Sequence, residues 1–279
     1  MEIIGILNIT TDSFSDGSYY LNPQTAIKKG LSLAAQGADL IDVGAESTSP
    51  DSEKISPQQE IARLTPVIKA LKEEGVRISV DTYKPEVMER VISLGVDMIN
   101  DVSGLKNKSS LEIIRQANIP VVVMFSNHLS FSAEGVRAQR EFYEPSTIMS
   151  EIEEFFTQKL QQLHEAGIAD DKVIIDPGMG AFLAANPEPS LVVLHHLQML
   201  KKFGRRILIS TSRKSFIGAV LNRPIESRIY GTLATEIWAY WQGVDFIRTH
   251  DVAALKDALR MIQAIEQVKH LLGMNRFRK

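Results

Sequence analysis

Polar residues able to bind or catalyse recur at one kind of position in this sequence, directly after short apolar runs. The residues that close these runs are Asn8, Asp42, Glu46, Asp81, Asn100, Asp101, Met124, Asp176, Ser212, Arg213, Lys214, Arg248 and His250. Unpaired charged and amide groups are costly inside an apolar core. Because so many runs end in a polar residue, we expect these residues to meet in a common site. Asp101 and Asp251 are equally well explained as caps of the following helices.

One part of this set suits a flat, amino-bearing ring. Asp176 and Asn100 supply acceptors for an amino-amidine edge, because one carboxylate can accept two parallel N–H bonds. Lys214 and Arg248 supply donors, and a planar guanidinium stacks well on a flat heterocycle.

A second part suits an anion. Asn8, Arg248, His250 and the start of a predicted helix at Val252 together fit a group such as phosphate. No His and carboxylate spacing indicates a transition metal held by the protein. The residues alone therefore predict a planar, amino-bearing ring that carries a phosphate.

Eight apolar runs must position these side chains. They read EIIGIL, DLIDVG, RISVD, MINDV, PVVVM, KVIID, RILIS and DFIRT. Near-continuous apolar character over four to six residues is typical of parallel strands buried on both faces. Alternation with helical segments predicts an α/β fold, a single (β/α)₈ TIM barrel in one domain over residues 1–279.

The helical segments follow from apolar periodicity and capping signals. Ser56, Pro57 and Gln59 predict a helix start, and Gly75 an end, with a kink or break at Pro66. Helices are also predicted over residues 23–37, 146–166, 189–203, 229–242 and 252–272. Residues 125–145 resist assignment and are interpreted as a long, mobile loop.

Composition narrows the class of protein. The 279 residues are 44% hydrophobic and 23% charged, with a net charge of −3 and no cysteine. We therefore expect no nucleic-acid or membrane partner, no disulfide or thiolate chemistry, and a cytoplasmic location. No secretory signal or membrane span is predicted.

Seven motifs in order resemble the dihydropteroate synthase family. They are GILNITTDSFSDG, DVGAESTSP, SVDTYKPEV, IND, DPGMG, SRKSFIG and RTHDV, running from the first strand to the eighth. The resemblance implies a transferase of folate biosynthesis, which joins 6-hydroxymethyl-7,8-dihydropterin diphosphate to p-aminobenzoate and releases diphosphate. It also implies Mg²⁺ as cofactor and a homodimer formed through late helices.

The resemblance assigns roles residue by residue. The pterin pocket would comprise Asp81, Asn100, Met124, Asp176, Lys214 and Arg248. Diphosphate would meet Asn8, Thr48, Arg248 and His250, with Mg²⁺ at Asn8. p-Aminobenzoate would lie near Phe14, Thr48, Pro50, Ala181, Phe182 and Ser212, under loops at about residues 9–21 and 45–56. Lys214, Arg248, His250 and Asp81 would be the catalytic residues.

The sequence departs from the family pattern at several positions, among them Ser49 near the diphosphate and Ala181 beside p-aminobenzoate. Ser49 stands where the family has arginine, Thr11 replaces a proline, and Phe125 replaces a histidine. Ala181 replaces an aromatic residue, with Phe182 beside it. The DPGMG and NPEPS stretches resemble the sulfonamide-insensitive branch, which predicts poor sulfonamide binding. A pterin-binding methyltransferase and a catalytically impaired paralogue are the alternative interpretations.

Overall fold

The computed structural model describes residues 1–9, 22–46, 54–127, 129–132, 135–138 and 142–271. The strands in these ranges are β1 (Glu2–Asn8), β2 (Leu40–Gly44), β3 (Ile78–Asp81), β4 (Met98–Asp101), β5 (Val121–Met124), β6 (Leu129–Ser132), β7 (Gly135–Ala138), β8 (Val173–Asp176), β9 (Arg206–Ile209) and β10 (Phe246–Thr249). All except β6 and β7 pair in parallel and close a barrel in the order β1-β10-β9-β8-β5-β4-β3-β2. The predicted (β/α)₈ barrel is confirmed.

Helices follow the barrel strands along the chain. They are α1 (Pro23–Ala35), α2 (Pro57–Glu73), α3 (Pro85–Ser93), α4 (Lys108–Ala117), α5 (Ile148–Glu165), α6 (Glu188–His195), α7 (Ser215–Leu221), α8 (Ile229–Trp241) and α9 (Val252–Leu271). Periodicity did not single out α3, α4 and α7, because helices of 7 to 10 residues show few turns of an apolar stripe. Among the described helices, none combines the length and apolar character that a bilayer crossing requires.

The barrel interior begins with an apolar layer near the amino ends of the strands. This layer, here called the floor, consists of Ile4, Leu40, Met98, Val122, Ile174, Leu208 and Phe246. Successive strand side chains alternate between faces, so the residue two positions later also points inward. Six of these later residues are Asp42, Asn100, Met124, Asp176, Ser210 and Arg248. The alternation thus places the predicted polar residues together above the floor, at what we call the mouth.

Helix α2 forms for the reasons that its sequence indicates. The hydroxyl of Ser56 accepts the Gln59 N–H at 3.2 Å, and the Gln59 side chain accepts the Ser56 N–H at 2.8 Å. This capping box satisfies two amide donors that a helix start leaves unpaired. The helix continues through Pro66, so of the two predicted outcomes, a kink or a break, the break does not occur.

Two other expectations need correction. The stretch predicted as a loop over residues 125–145 contains β6 and β7, which pair as an antiparallel two-stranded sheet. The helix predicted over 189–203 is instead α6 followed by a 3₁₀ segment at Leu197–Phe203. The apolar pattern of this stretch predicts one helix. Its second half winds more tightly, as a 3₁₀ helix with i to i+3 hydrogen bonds.

Candidate functional site

A cavity opens at the mouth, and its lining comes from six strands and the segments that follow them. It is lined by Asp81, Asn100, Val102, Met124, Asp176, Phe182, Ser210, Lys214 and Arg248. The carboxyl ends of parallel barrel strands are where such folds place their sites. The structure thus brings together all of the residues predicted for the ring pocket, and Phe182 with them.

The Asp176 carboxylate is held by the turn that follows its strand. Its Oδ1 accepts the Gly178 N–H at 2.8 Å. Gly178 has a φ of +74°, and a Cβ at this position would lie 2.4 Å from the Phe125 carbonyl oxygen. Only glycine fits such a turn without displacing the backbone. The Pro-Gly sequence therefore fixes where the carboxylate points.

Burial governs the charge state of Asp176. Removal from water raises the pKa of its carboxyl group, while nearby Lys214 and the Gly178 N–H oppose the shift. A ligand that offers N–H donors here would replace some of the lost hydration.

Arg248 joins two carboxylates across the mouth. Its Nε donates to Asp42 Oδ2 at 2.6 Å, and its Nη2 donates to Asp81 Oδ2 at 3.0 Å. Burial lowers the pKa of Arg248, but Asp42 and Asp81 outweigh this effect and raise it. The pKa of Asp81 rises to about 7, chiefly through burial, which Arg248 opposes and Asp42 reinforces. The guanidinium is therefore permanently charged, whereas Asp81 can exchange a proton near neutral pH.

Asp42 was predicted among the residues that close the apolar runs, but the sequence-based assignment gave it no role in the site. It lies inside β2, is almost fully buried, and accepts from Asn100 Nδ2 at 3.2 Å as well as from Arg248. Among the described residues, its Oδ1 has no hydrogen-bond partner. The alternation of β2 would have indicated that Asp42 faces the site, because the floor residue Leu40 lies two positions before it and points inward as well.

Lys214 faces the cavity from the segment after β9. Its Nζ donates to the Met179 carbonyl at 3.2 Å and lies 4.9 Å from the centre of the Phe182 ring. Burial lowers the pKa of Lys214 to about 8, while Asp176 acts in the opposite direction. The ammonium is charged at neutral pH and loses its proton in mildly alkaline solution.

His250 and Ser212 form a pair beside this cavity. Ser212 Oγ lies 2.9 Å from His250 Nδ1 and accepts the His250 backbone N–H at 3.1 Å. Burial, followed by the nearby cations Arg213 and Arg248, lowers the pKa of His250 to about 3. The imidazole is therefore neutral, and the pair offers hydrogen-bonding groups without adding charge.

Comparison with known proteins assigns this geometry to a family. The family described as pterin binding enzyme matches residues 4–250. The type-3 dihydropteroate synthase of Escherichia coli is 43% identical over 95% of this chain and 99% of its own. This chain belongs to the dihydropteroate synthase family.

Solved dihydropteroate synthases share the fold closely. The Yersinia pestis enzyme in complex with a sulfonamide drug has a TM-score of 0.85 at 34% identity, covering 95% of this chain and 94% of its own. The Xanthomonas albilineans enzyme in complex with 7,8-dihydropteroate has a TM-score of 0.81 at 33% identity, covering 95% and 93%. Similarity therefore extends over almost the whole barrel.

Some residues expected from the dihydropteroate synthase pattern lie away from the cavity. Asn8 ends β1, and its Oδ1 would be 3.8 Å from a Cβ placed on Gly44. Ala181 is half-buried in a 3₁₀ turn at Gly180–Phe182 and does not line the cavity, although its neighbour Phe182 does. Phe14, Thr48 and Pro50 lie outside the described residues, as do Thr11 and Ser49.

The structure also gives the surroundings of five further residues. The Phe125 ring turns into the core and packs against Phe155 at 5.3 Å between centroids. Trp238 and Trp241 on α8 are 42% and 60% exposed. His195 and His196 are exposed.

Val102 and Ser210 were also missed as cavity residues. Ser210 follows the floor residue Leu208 by two positions, so strand alternation would have identified it. Val102 carries no polar group, and nothing in its sequence context indicates that it faces a ligand.

Proposed function

We propose that this chain catalyses the dihydropteroate synthase reaction, condensing 6-hydroxymethyl-7,8-dihydropterin diphosphate with p-aminobenzoate. The observation that carries this proposal is the convergence of Asp176, Asn100, Lys214 and Arg248 on one cavity at the barrel mouth. The relative from Xanthomonas albilineans in complex with 7,8-dihydropteroate supports the same product here.

The pterin ring occupies the cavity in this proposal. Asp176 accepts two N–H bonds from the aminopyrimidine edge. The Gly178 N–H, which donates to Asp176 Oδ1, keeps the carboxylate in this orientation. Asn100 and Asp81 supply further polar contacts, and Met124 supplies an apolar one. Arg248 stacks on the ring once its guanidinium adjusts between Asp42 and Asp81.

The reaction breaks one bond and forms another. The C–O bond between the pterin methylene and the diphosphate breaks, and the bonding electrons leave with the diphosphate. The arylamine nitrogen then bonds to the methylene carbon and loses one proton to solvent. No side chain serves as a nucleophile. Arg248, His250 and Lys214 supply donors where negative charge develops.

Mg²⁺ fits this site only as a partner of the substrate. No cluster of three or more His, Cys, Asp or Glu side chains suited to a metal occurs in the described part of the chain. Asn8 offers one hard oxygen at the end of β1, which matches the habit of Mg²⁺ of binding few protein groups together with substrate phosphates. When bound, the ion would neutralise charge on the diphosphate oxygens.

The p-aminobenzoate side supports a further proposal, poor binding of sulfonamides. Ala181 provides no aromatic wall, whereas the Phe182 ring lies in the cavity beside Lys214. We expect sulfamethoxazole to inhibit this enzyme more weakly than it inhibits the Yersinia pestis relative. An equal inhibition constant for the two enzymes contradicts the proposal, and Ala181→Phe with Ala181→Leu as control tests the position itself.

We also propose a homodimer through α8 and α9. Trp238, Trp241, Met261 and Ile265 are exposed apolar side chains on these two helices, and a second copy of the chain would cover them. Light scattering after gel filtration distinguishes a 62 kDa dimer, twice the 31.1 kDa chain, from a monomer.

One assay tests the reaction. The purified chain is incubated with pterin diphosphate, p-aminobenzoate and Mg²⁺, and dihydropteroate is measured by mass spectrometry. The control contains 6-hydroxymethyl-7,8-dihydropterin without its diphosphate and should give no product. Pterin binding without product would instead indicate a paralogue without activity. Methyl transfer from methyltetrahydrofolate would indicate the alternative enzyme class.

A further inference from the structure

Helix α8 differs from an ordinary barrel helix in what it buries. The fully buried residues of α8 are Thr232, Glu236 and Ala239, none of which is a large aliphatic residue. Helix α2, by contrast, buries Leu64, Val67, Ile68 and Leu71 against the strands. Buried hydroxyl groups are unfavourable unless they are paired, so the partners of this polar face indicate its purpose.

The partners lie in the turn that carries two site residues. Arg213 separates Ser212 from Lys214 and has a φ of +57°, in the left-handed region that residues with a Cβ disfavour. This conformation lets Ser212 contact His250 and Lys214 face the cavity on the same side of the turn. The Arg213 side chain is directed elsewhere, to Asp251, with contacts of 2.7 and 3.1 Å.

Both backbone polar groups of Arg213 are satisfied from the α8 side. Its N–H donates to Thr232 Oγ1 at 3.0 Å, and its carbonyl accepts from Arg228 Nη1 at 2.9 Å. Arg228 also donates to the Arg223 carbonyl at 3.1 Å. It thus links the residues that flank α7 on either side, Arg213 and Arg223. Its guanidinium packs over Gly218, where a Cβ would come within 2.3 Å of it.

A second hydroxyl of α8 extends the contact to Thr211, two residues before Arg213. Thr235 Oγ1 donates to Thr211 Oγ1 at 2.9 Å. The turn is therefore held at Thr211 and Arg213 by helix α8 and by Arg228, the residue before it. A turn with an unfavourable φ persists only where the surrounding structure determines it.

We propose that Thr232 and Arg228 are positioning residues that hold Arg213 in its left-handed conformation and so aim Ser212 and Lys214 at the substrates. They touch no substrate and act through the turn. The inference rests on the proposed function only in that Ser212 and Lys214 contact substrate; the geometric restraint itself does not depend on the reaction.

Removing the Thr232 hydroxyl isolates the restraint. Thr232→Val keeps the shape of the side chain but leaves the Arg213 N–H buried without a partner, which favours relaxation of the turn. Thr232→Ser restores the acceptor. Thr157→Val, which removes an exposed hydroxyl bonded to the Glu153 carbonyl on α5, is the matched control far from the turn.

The first measurement is steady-state kinetics. We expect Thr232→Val to lower kcat/KM about tenfold, with a reduced kcat, and we expect Thr232→Ser to recover most of the loss. Thr157→Val should resemble the parent chain. A Thr232→Val protein that unfolds at lower temperature, yet keeps the parent kcat and KM, would show a structural role alone and overturn the proposal.

The second measurement needs no turnover, so it separates this inference from the proposed function. The pKa of Lys214 is about 8 because the ammonium is buried in the cavity wall. A relaxed turn exposes it, and we expect its pKa, followed by NMR in the ligand-free protein, to rise toward 10.5 in Thr232→Val. An unchanged titration in a folded variant contradicts the proposal even if the parent chain makes no dihydropteroate.

If Thr232→Val does not fold, Arg228→Met with Arg228→Lys as control takes its place, with the same two readouts.

Discussion

The floor and the mouth of the barrel are adjacent layers of inward side chains on the same strands, but their chemistry is opposite. Ile174 and Asp176 are two positions apart on β8, as are Phe246 and Arg248 on β10. The floor residues are 0 to 2% exposed and form an apolar cluster. The mouth residues face a cavity and pair with one another or with turns.

This difference separates two tasks along one strand. Apolar burial at the floor contributes to the free energy of folding without directional contacts. Buried charges at the mouth contribute little net stability, because desolvation offsets their mutual attraction. Changes in the two layers should therefore affect different measurements, even when they lie only two residues apart.

The largest expected effect comes from Asp176→Ala in the mouth. A bound pterin would lose the acceptor for its buried N–H donors, and we expect pterin affinity to fall about 100-fold or more. Thermal stability should stay the same or rise, because a buried carboxylate disappears. Isothermal titration calorimetry with the pterin substrate checks the affinity, and full affinity in this variant would show that the pterin pocket lies elsewhere.

Ile174→Ala on the same strand is the matched change in the floor. We expect a loss of about 2 to 5 kcal/mol in the free energy of unfolding, from lost burial and the cavity left behind. Pterin affinity should change little, because the Asp176 turn is held by Gly178 rather than by the floor. Urea denaturation measures the first quantity. Loss of affinity as large as that in Asp176→Ala would break the separation between the layers.

The two layers differ in how far the sequence predicts them. The continuous apolar runs indicate the strands, and the ordered motifs indicate which run ends form the site. The capping box at Ser56 likewise predicts the start of α2, because all its contacts are within three residues. Such features depend on local spacing, which a sequence displays directly.

Features that depend on barrel closure were missed. Asp42 and Arg248 are 206 positions apart, and they meet because β1 lies between β2 and β10 in the closed sheet. The β6–β7 pair was missed because two four-residue strands in a polar stretch give almost no periodicity. The polar inner face of α8 was missed because its partners belong to another segment of the chain.

A smaller effect is expected from Asp42→Asn, which weakens one of the two ion pairs that orient Arg248. The guanidinium keeps Asp81, and its 2.6 Å contact at position 42 loses the negative charge of the acceptor. We expect kcat/KM to fall about tenfold, at a cost in stability of about 1 kcal/mol or less. The control is Asp39→Asn before the floor end of β2, where an exposed carboxylate accepts the Ile3 N–H. Equal losses of kcat/KM in the two variants would show that the contact between Asp42 and Arg248 has no specific part in catalysis.

Glu236 provides the smallest and sharpest test, because it is a carboxylic acid buried outside both layers. Its side chain is fully buried. Burial raises its pKa from 4.5 to about 8, while Thr249 opposes the shift and Asp251 reinforces it. The folded protein therefore retains a proton that the unfolded chain releases above about pH 4.5, and its stability falls as pH rises from there toward 8.

Glu236→Gln removes this titration and leaves a neutral side chain of similar shape. We expect the variant and the parent to have similar free energies of unfolding near pH 4.5. The variant should become progressively more stable than the parent up to about pH 8, at no more than about 1.4 kcal/mol per pH unit. Urea denaturation at several pH values gives both curves. A difference that does not change with pH would mean that Glu236 is paired and charged in the folded protein, and that pairing of buried carboxyl groups is not confined to the mouth.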